Sequence, residues 1–383
     1  MNLQIANRLQ TVEEYYFSKK LREVGQRIAS GQPIINMGIG SPDLAPDREV
    51  LNALTSSLTH PKAHQYQSYQ GLPELREGIA DFYHTHYGVT LNPKDEILPL
   101  MGSKEGIMHI SMAFLNPGDQ VLIPNPGYPT YSSVTRLVSA EAVYYNLEES
   151  TGWLPDRHFL EQLDTSKIKL MWLNYPHMPT GAAASKELFI ALVQWAKQNN
   201  ILLVNDNPYS FVLNQNPTSL LATPGAKEVA LELNSLSKTF NMAGWRVGMV
   251  LGDAALINPV LKVKSNMDSG MFYGLQKGAI AALQSSENWY QSMNEIYANR
   301  KKRMLQLIDQ LDLTYNPDQT GMFVWAKLPK QHTSSEAYVD HLLDEKHLFI
   351  APGTIFGSQG EGYVRFSLCV EEEMIIKAIK RFV

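Results

Sequence analysis

Short apolar runs alternating with helical stretches constrain this chain's fold more than any other feature. Glu96 to Leu100, Gln120 to Ile123, Ala142 to Tyr145, Lys169 to Leu173 and Ile201 to Val204 each have the length of a buried strand. Helical patterns fill the gaps. Glu74 to Tyr87 starts after Pro73, and Lys186 to Asn199 links the last two runs. Strands joined through helices build a largely parallel sheet covered on both faces. The alternation begins near residue 46, and after Met267 the texture changes. Gln276 to Leu311 reads as one long helix, and strand signals return at Met322 to Leu328 and Tyr363 to Ser367 around a helix at Ser335 to Glu345. The expected fold class is α/β, with a large domain over 46–270 and a smaller α+β domain combining 1–45 with 271–383. Within the N-terminal part, residues 12–30 read as an amphipathic helix ending at Gly31. Ile34 to Gly40 reads as a strand running into a glycine turn.

The 383 residues exceed one ordinary core, and 44% hydrophobic with 19% charged residues is a globular composition. A net charge of −5 supplies no basic face, so nucleic acid is not an expected partner. The single cysteine, Cys369, excludes an intrachain disulfide and reads as a small buried apolar residue, as suits a reducing compartment. The first ten residues lack the apolar core of a secretory signal. No run approaches the ~18 apolar residues of a membrane span. The expected location is the cytoplasm, with no membrane partner.

The chemistry sits in loops, most of them just after strands. Ser235-Leu236-Ser237-Lys238 is followed eight residues later by Arg246. Hydroxyls and a guanidinium hold phosphate, and a lysine amine forms an imine with an aldehyde. Pyridoxal phosphate carries both groups. Gly102-Ser103-Lys104 opens a helix, where free N–H groups bind phosphate, although Ser103 alone reads equally as an N-cap. Asp206 and Tyr209 follow the Ile201 to Val204 run. The first suits a protonated pyridine nitrogen and the second a phenolic ring oxygen; alone they are a turn carboxylate and a packed ring. Tyr128, between prolines, is placed to stack on a flat ring or to be a plain loop aromatic. Arg365 lies in an otherwise apolar strand. Its fork matches a carboxylate of a substrate or of an internal ion pair. The order of these motifs, and their placement after strands, argues against coincidence. No metal site is expected.

In these motifs, from about residue 34 to the C-terminus, the chain resembles the fold-type I pyridoxal-phosphate enzymes of aminotransferase class I/II. Gly102 to Gly106, Asn125 to Pro129 and Lys262 to Gly270 look most like the LL-diaminopimelate aminotransferases and their relatives. The resemblance implies an aspartate aminotransferase-like fold and a ping-pong transaminase moving an amino group from an amino acid to a 2-oxo acid. Lys238 would be the Schiff-base lysine and the proton carrier, with Asp206 on the pyridinium, Tyr209 on the ring oxygen and Tyr128 on the ring face. Ser103, Lys104, Ser235, Ser237 and Arg246 would hold the phosphate. Arg365 would clamp the substrate carboxylate near Ile39 and Gly40. Tyr66 would reach the phosphate of a neighbouring subunit, which implies a homodimer with shared sites. Alternatives on the same scaffold are a carbon–sulfur β-lyase and a weakly active or inactive cofactor-binding relative. A regulator with an added DNA-binding domain is disfavoured by the acidic charge.

One position departs from the family's pattern. Met178 precedes Pro-Thr-Gly where the family usually has asparagine, and methionine offers no N–H donor. Two expectations follow. Either Asn174 or His177 supplies a replacement donor, or activity is weakened or redirected to an unusual substrate.

Overall fold

A computed structural model describes residues 3–10 and 16–382. Its strands, in chain order, are β1 (Ile35–Asn36), β2 (Ile97–Leu100), β3 (Gln120–Asn125), β4 (Glu141–Asn146), β5 (Ile168–Leu173), β6 (Leu202–Asp206) and β7 (Ala230–Ser235). There follow β8 (Gly248–Gly252), β9 (Thr314–Tyr315), β10 (Phe323–Lys327), β11 (Leu348–Phe349), β12 (Ala351–Pro352) and β13 (Tyr363–Ser367). Strands β2 to β8 form one sheet in the order β2-β8-β7-β6-β5-β3-β4. Strands β3 to β7 pair in parallel, while β8 is antiparallel to both β2 and β7. Thus β2 also runs with the parallel set, and six carboxyl ends point to one edge. Ligands collect beyond such an edge.

Most of the apolar runs form strands because both of their faces are buried. Leu122, Met171, Leu173 and Leu203 face one core, shared with Tyr83 and Phe189 of the helices Pro73–Tyr87 and Lys186–Asn199. Their strand neighbours Val121, Ile123, Leu170, Trp172 and Val204 face another, shared with Ile107 and Ile110 of the helix Ser103–Phe114. The two-residue period sorts them. The edge strand β4 is the most exposed of the sheet.

A second, antiparallel sheet runs β12-β13-β10-β9, and β1 pairs in parallel with β11. Val24, Ile35 and Met37 share one core with Met304, Val324, Phe349 and Phe366. The long helix expected over Gln276 to Leu311 is two helices, Tyr273–Leu283 and Glu287–Gln310. The first of these, expected in the small domain, buries Ala279, Ala282 and Leu283 in the large sheet's core. The helix expected over 12–30 spans Tyr16–Ala29; residues 12–15 lie outside the described residues. No helix among the described residues is long and apolar enough to cross a membrane.

Candidate active site

The loops after β2, β3, β5, β6 and β7 meet β10 and β13 around a cavity of about 350 Å³. All the expected site residues line it except Tyr66, which is 90% exposed. Leu21 of the first helix, Ser41, Phe323 and Phe356 also line it.

Lys238 sits in the short helix Leu236–Thr239 that ends β7. The Ser235 hydroxyl starts this helix by accepting from the Ser237 N–H at 3.1 Å. The Lys238 amine donates to the Gly40 carbonyl at 2.5 Å. Burial pushes its pKa down, the Cys369 thiol opposes this, and the Arg365 and Arg246 cations add to the depression. A lowered pKa eases release of the electron pair that a nucleophile or base needs.

Asp206 ends β6 and is 4% exposed. Its Oδ2 accepts from the Tyr131 hydroxyl at 3.0 Å, and its Oδ1 has no partner. Burial pushes its carboxyl up to about 7; the Tyr131 bond opposes this and Glu232 adds to it. Tyr131 stacks on Trp172, with centroids 4.9 Å apart, and stands edge-on to Tyr128. It is a site residue that the sequence reading missed. Its signal is the three-residue step from Tyr128 into a helix, which puts both on one side of the turn. Tyr209 packs edge-on against Phe323, and burial pushes its phenol up.

Beyond β5, Asn174 is already engaged in holding its loop. Its Nδ2 donates to the Asp206 carbonyl at 2.6 Å, and its Oδ1 accepts from the Met178 N–H at 3.0 Å. His177 turns away, with Nδ1 2.8 Å from the Thr180 hydroxyl, and burial pushes its imidazole down to about 3. It does not line the cavity, so the expectation of a donor from His177 fails. Met178 faces Arg365 instead, its sulfur 3.3 Å from Nη1. Arg365 donates through Nη2 to the Gly38 carbonyl at 2.8 Å. Its guanidinium lies 3.9 Å from the Phe323 ring centre and 4.7 Å from that of Phe356. Two aromatic faces fix the plane of the fork.

Gly102, Ser103, Ser235, Ser237 and Arg246 form a cradle. The Ser235 and Ser237 hydroxyls are 2.7 Å apart, and Arg246 reaches the latter at 3.5 Å. Gly102 has φ of 89°, and a Cβ there would collide with the Arg246 guanidinium. The helix Ser103–Phe114 starts at this point, aiming its N-terminal dipole at the cradle.

These residues fit pyridoxal phosphate. The unpaired Oδ1 of Asp206 suits a ring N–H, the glycine-floored cradle suits a phosphate, and the Lys238 amine lines the same cavity.

Residues 32–382 match the family model for aminotransferase class I and II. The chain is 37% identical to an LL-diaminopimelate aminotransferase from Dehalococcoides mccartyi, over 99% of this chain and 98% of that one. It is 38% identical, with the same coverage, to one from Aquifex aeolicus. Among solved structures it superposes on substrate-bound BacF from Bacillus subtilis with a TM-score of 0.95, at 35% identity over 100% of this chain and 97% of that one.

Proposed function

The chain belongs to the class I and II aminotransferases, which work with pyridoxal phosphate, and we propose that its donor is an amino acid of the LL-diaminopimelate or glutamate kind. The amino group passes to a 2-oxo acid in two half-reactions, in the cytoplasm, within a homodimer. The observation that carries this reading is the convergence on one cavity of a depressed amine, a buried carboxylate with one unpaired oxygen, and an aromatic-clamped guanidinium.

Bound pyridoxal phosphate supplies an aldehyde to take up the amine and a protonated ring to draw electrons from Cα. The protein's residues do the rest. Lys238 would hold the cofactor through its aldehyde and, when free, would carry the proton at the substrate's Cα. Asp206 Oδ1 would accept from the ring N–H, and Tyr209 would hold the phenolic oxygen. Tyr128 would pack on the ring. Ser103, Lys104, Ser235, Ser237 and Arg246 hold the phosphate. Arg365 grips the substrate α-carboxylate beside Ile39 and Gly40. Asn174 also lines the cavity, with its amide engaged by the Asp206 carbonyl and the Met178 N–H. The exposure of Tyr66, Met267 and Phe272 supports a partner subunit that covers them.

The test follows the cofactor's visible band after single additions of LL-diaminopimelate, glutamate, aspartate and alanine. Loss of the band with either of the first two, and its return with 2-oxoglutarate, is the expected result. Borohydride reduction and peptide mapping should place the cofactor on Lys238. A label on another lysine, or pyruvate release from a cysteine conjugate outpacing amine exchange, would overturn the reading.

A further inference from the structure

Glu232 lies on β7 in register with Asn205, the residue before Asp206, and is 0% exposed. No lysine or arginine pairs with it among the described residues. Its partners are neutral donors. Oε1 accepts from the Tyr83 hydroxyl at 3.0 Å and from Asn207 Nδ2 at 3.4 Å. Oε2 accepts from the Leu220 N–H at 2.8 Å and from Asn205 Nδ2 at 3.4 Å. Tyr83 in turn accepts from Asn234 Nδ2 at 2.9 Å, which leaves its own proton for Glu232.

Such a set suits an anion. Burial pushes the Glu232 carboxyl up, and the Leu220 N–H with the Ser219, Tyr83 and Asn205 side chains opposes this. The Leu220, Asn205 and Asn207 N–H groups can only donate, which favours the charged form. A buried anion with no cation is costly and needs a reason. The frame around it supplies one. Asn205 and Asn207, both held by Glu232, flank Asp206. Asn205 also accepts from the Tyr175 N–H at 3.0 Å, next to Asn174. Asn234 accepts from the Ser235 N–H at 2.7 Å, at the phosphate cradle. One carboxylate thus ties together the ring-nitrogen site, the Asn174 loop and the cradle.

We infer that Glu232 is a positioning residue whose negative charge, acting behind Asp206, holds the cofactor's ring nitrogen in its protonated, positive form. The cation that the two carboxylates lack is the ring N–H itself. This rests on the aminotransferase reading above.

The test uses full-length, cofactor-free protein titrated with pyridoxal phosphate and with its analogue in which C–H replaces the ring nitrogen. The quantity read is the ratio of the two affinities. The parent should prefer pyridoxal phosphate. Glu232→Gln and the apolar Glu232→Met should each lower the ratio by about tenfold or more, the size expected of one charge at an effective dielectric near ~20. Glu232→Asp, which keeps the charge, should retain it. Whichever neutral variant is soluble decides the matter. A merely structural role would weaken both ligands by the same factor in the neutral variants, and that result overturns the inference. So does a ratio lost equally in Glu232→Asp. A parent that binds neither ligand sinks the aminotransferase reading instead.

Discussion

Burial lifts the carboxyl of Asp206 from an ordinary 3.8 to about 7, because no cation in the folded chain compensates its charge. The folded form therefore holds its proton more tightly than the unfolded form. That stability is fully present below about pH 4 and is lost as pH rises through about 7. Cofactor-free Asp206→Asn has no such loss. Urea unfolding of both proteins should show the variant gaining about 2–3 kcal/mol on the parent between about pH 5 and pH 8. A constant difference would mean that Asp206 is ionised throughout. Met178 poses a different question at the same scale. Its thioether faces Arg365 where an amide would donate to the ring oxygen or substrate. A lost hydrogen bond in a dry site costs about 1–3 kcal/mol. Met178→Asn should thus raise kcat/KM for glutamate by about tenfold or more, as steady-state kinetics would show. Unchanged kinetics would mean that Asn174 already supplies the donor.

Among the elements, the loop and helix beginning at Gly102 carry the clearest dependence. Gly102→Ala adds a Cβ against the Arg246 guanidinium at a backbone angle that favours glycine. Arg246 must move, so affinity for pyridoxal phosphate should fall about tenfold or more by titration, the cost of one charge-assisted hydrogen bond. Affinity for pyridoxal, which lacks the phosphate, should barely change; equal losses would place the phosphate elsewhere. Sequence patterning reached most of these elements, and the reasons it missed others are local. Strand β7 carries Glu232 and Asn234 among its apolar residues, and both are buried, so no apolar run announces it. Strand β8 begins and ends in glycine. Gly248 lies against the backbone of Ser103 and Gly102, and Gly252 against Leu231, so close approach costs the strand its usual residue types. At the site, loop motifs after strands were legible because cofactor chemistry dictates their residue types. Phe323, Phe356 and Leu21 were not. They are ordinary apolar residues, and only the packing of distant elements turns them toward Arg365 and the cavity.

For the whole molecule, the central issue is the 90% exposure of Tyr66, the one expected site residue that does not line the cavity. Its loop is not loose. Gly270 packs on the Gln67 carbonyl, His64 stacks near Phe272 at 6.3 Å, and Leu72 N–H donates to Gln276 at 2.7 Å. Two segments far apart in sequence are thereby fixed as one ridge that exposes Tyr66, Tyr69, Met267 and Phe272. Apolar groups held rigidly in solvent mark an interface, and a two-fold dimer presents the same ridge from both sides. If Tyr66 completes the neighbour's cradle, Lys238→Ala and Tyr66→Phe disable different halves of each shared site. Each variant alone should be nearly inactive or weakened in every site. In hybrids made by unfolding and refolding an equal mixture, one site combines both defects and the other has neither. Random pairing makes about half of the dimers hybrid, so about a quarter of all sites regain parental activity. Differently tagged variants, purified as hybrids, would be assayed for half-reaction turnover. Activity no higher than the sum of the separate variants would place Tyr66 in its own subunit's surface and end the shared-site reading.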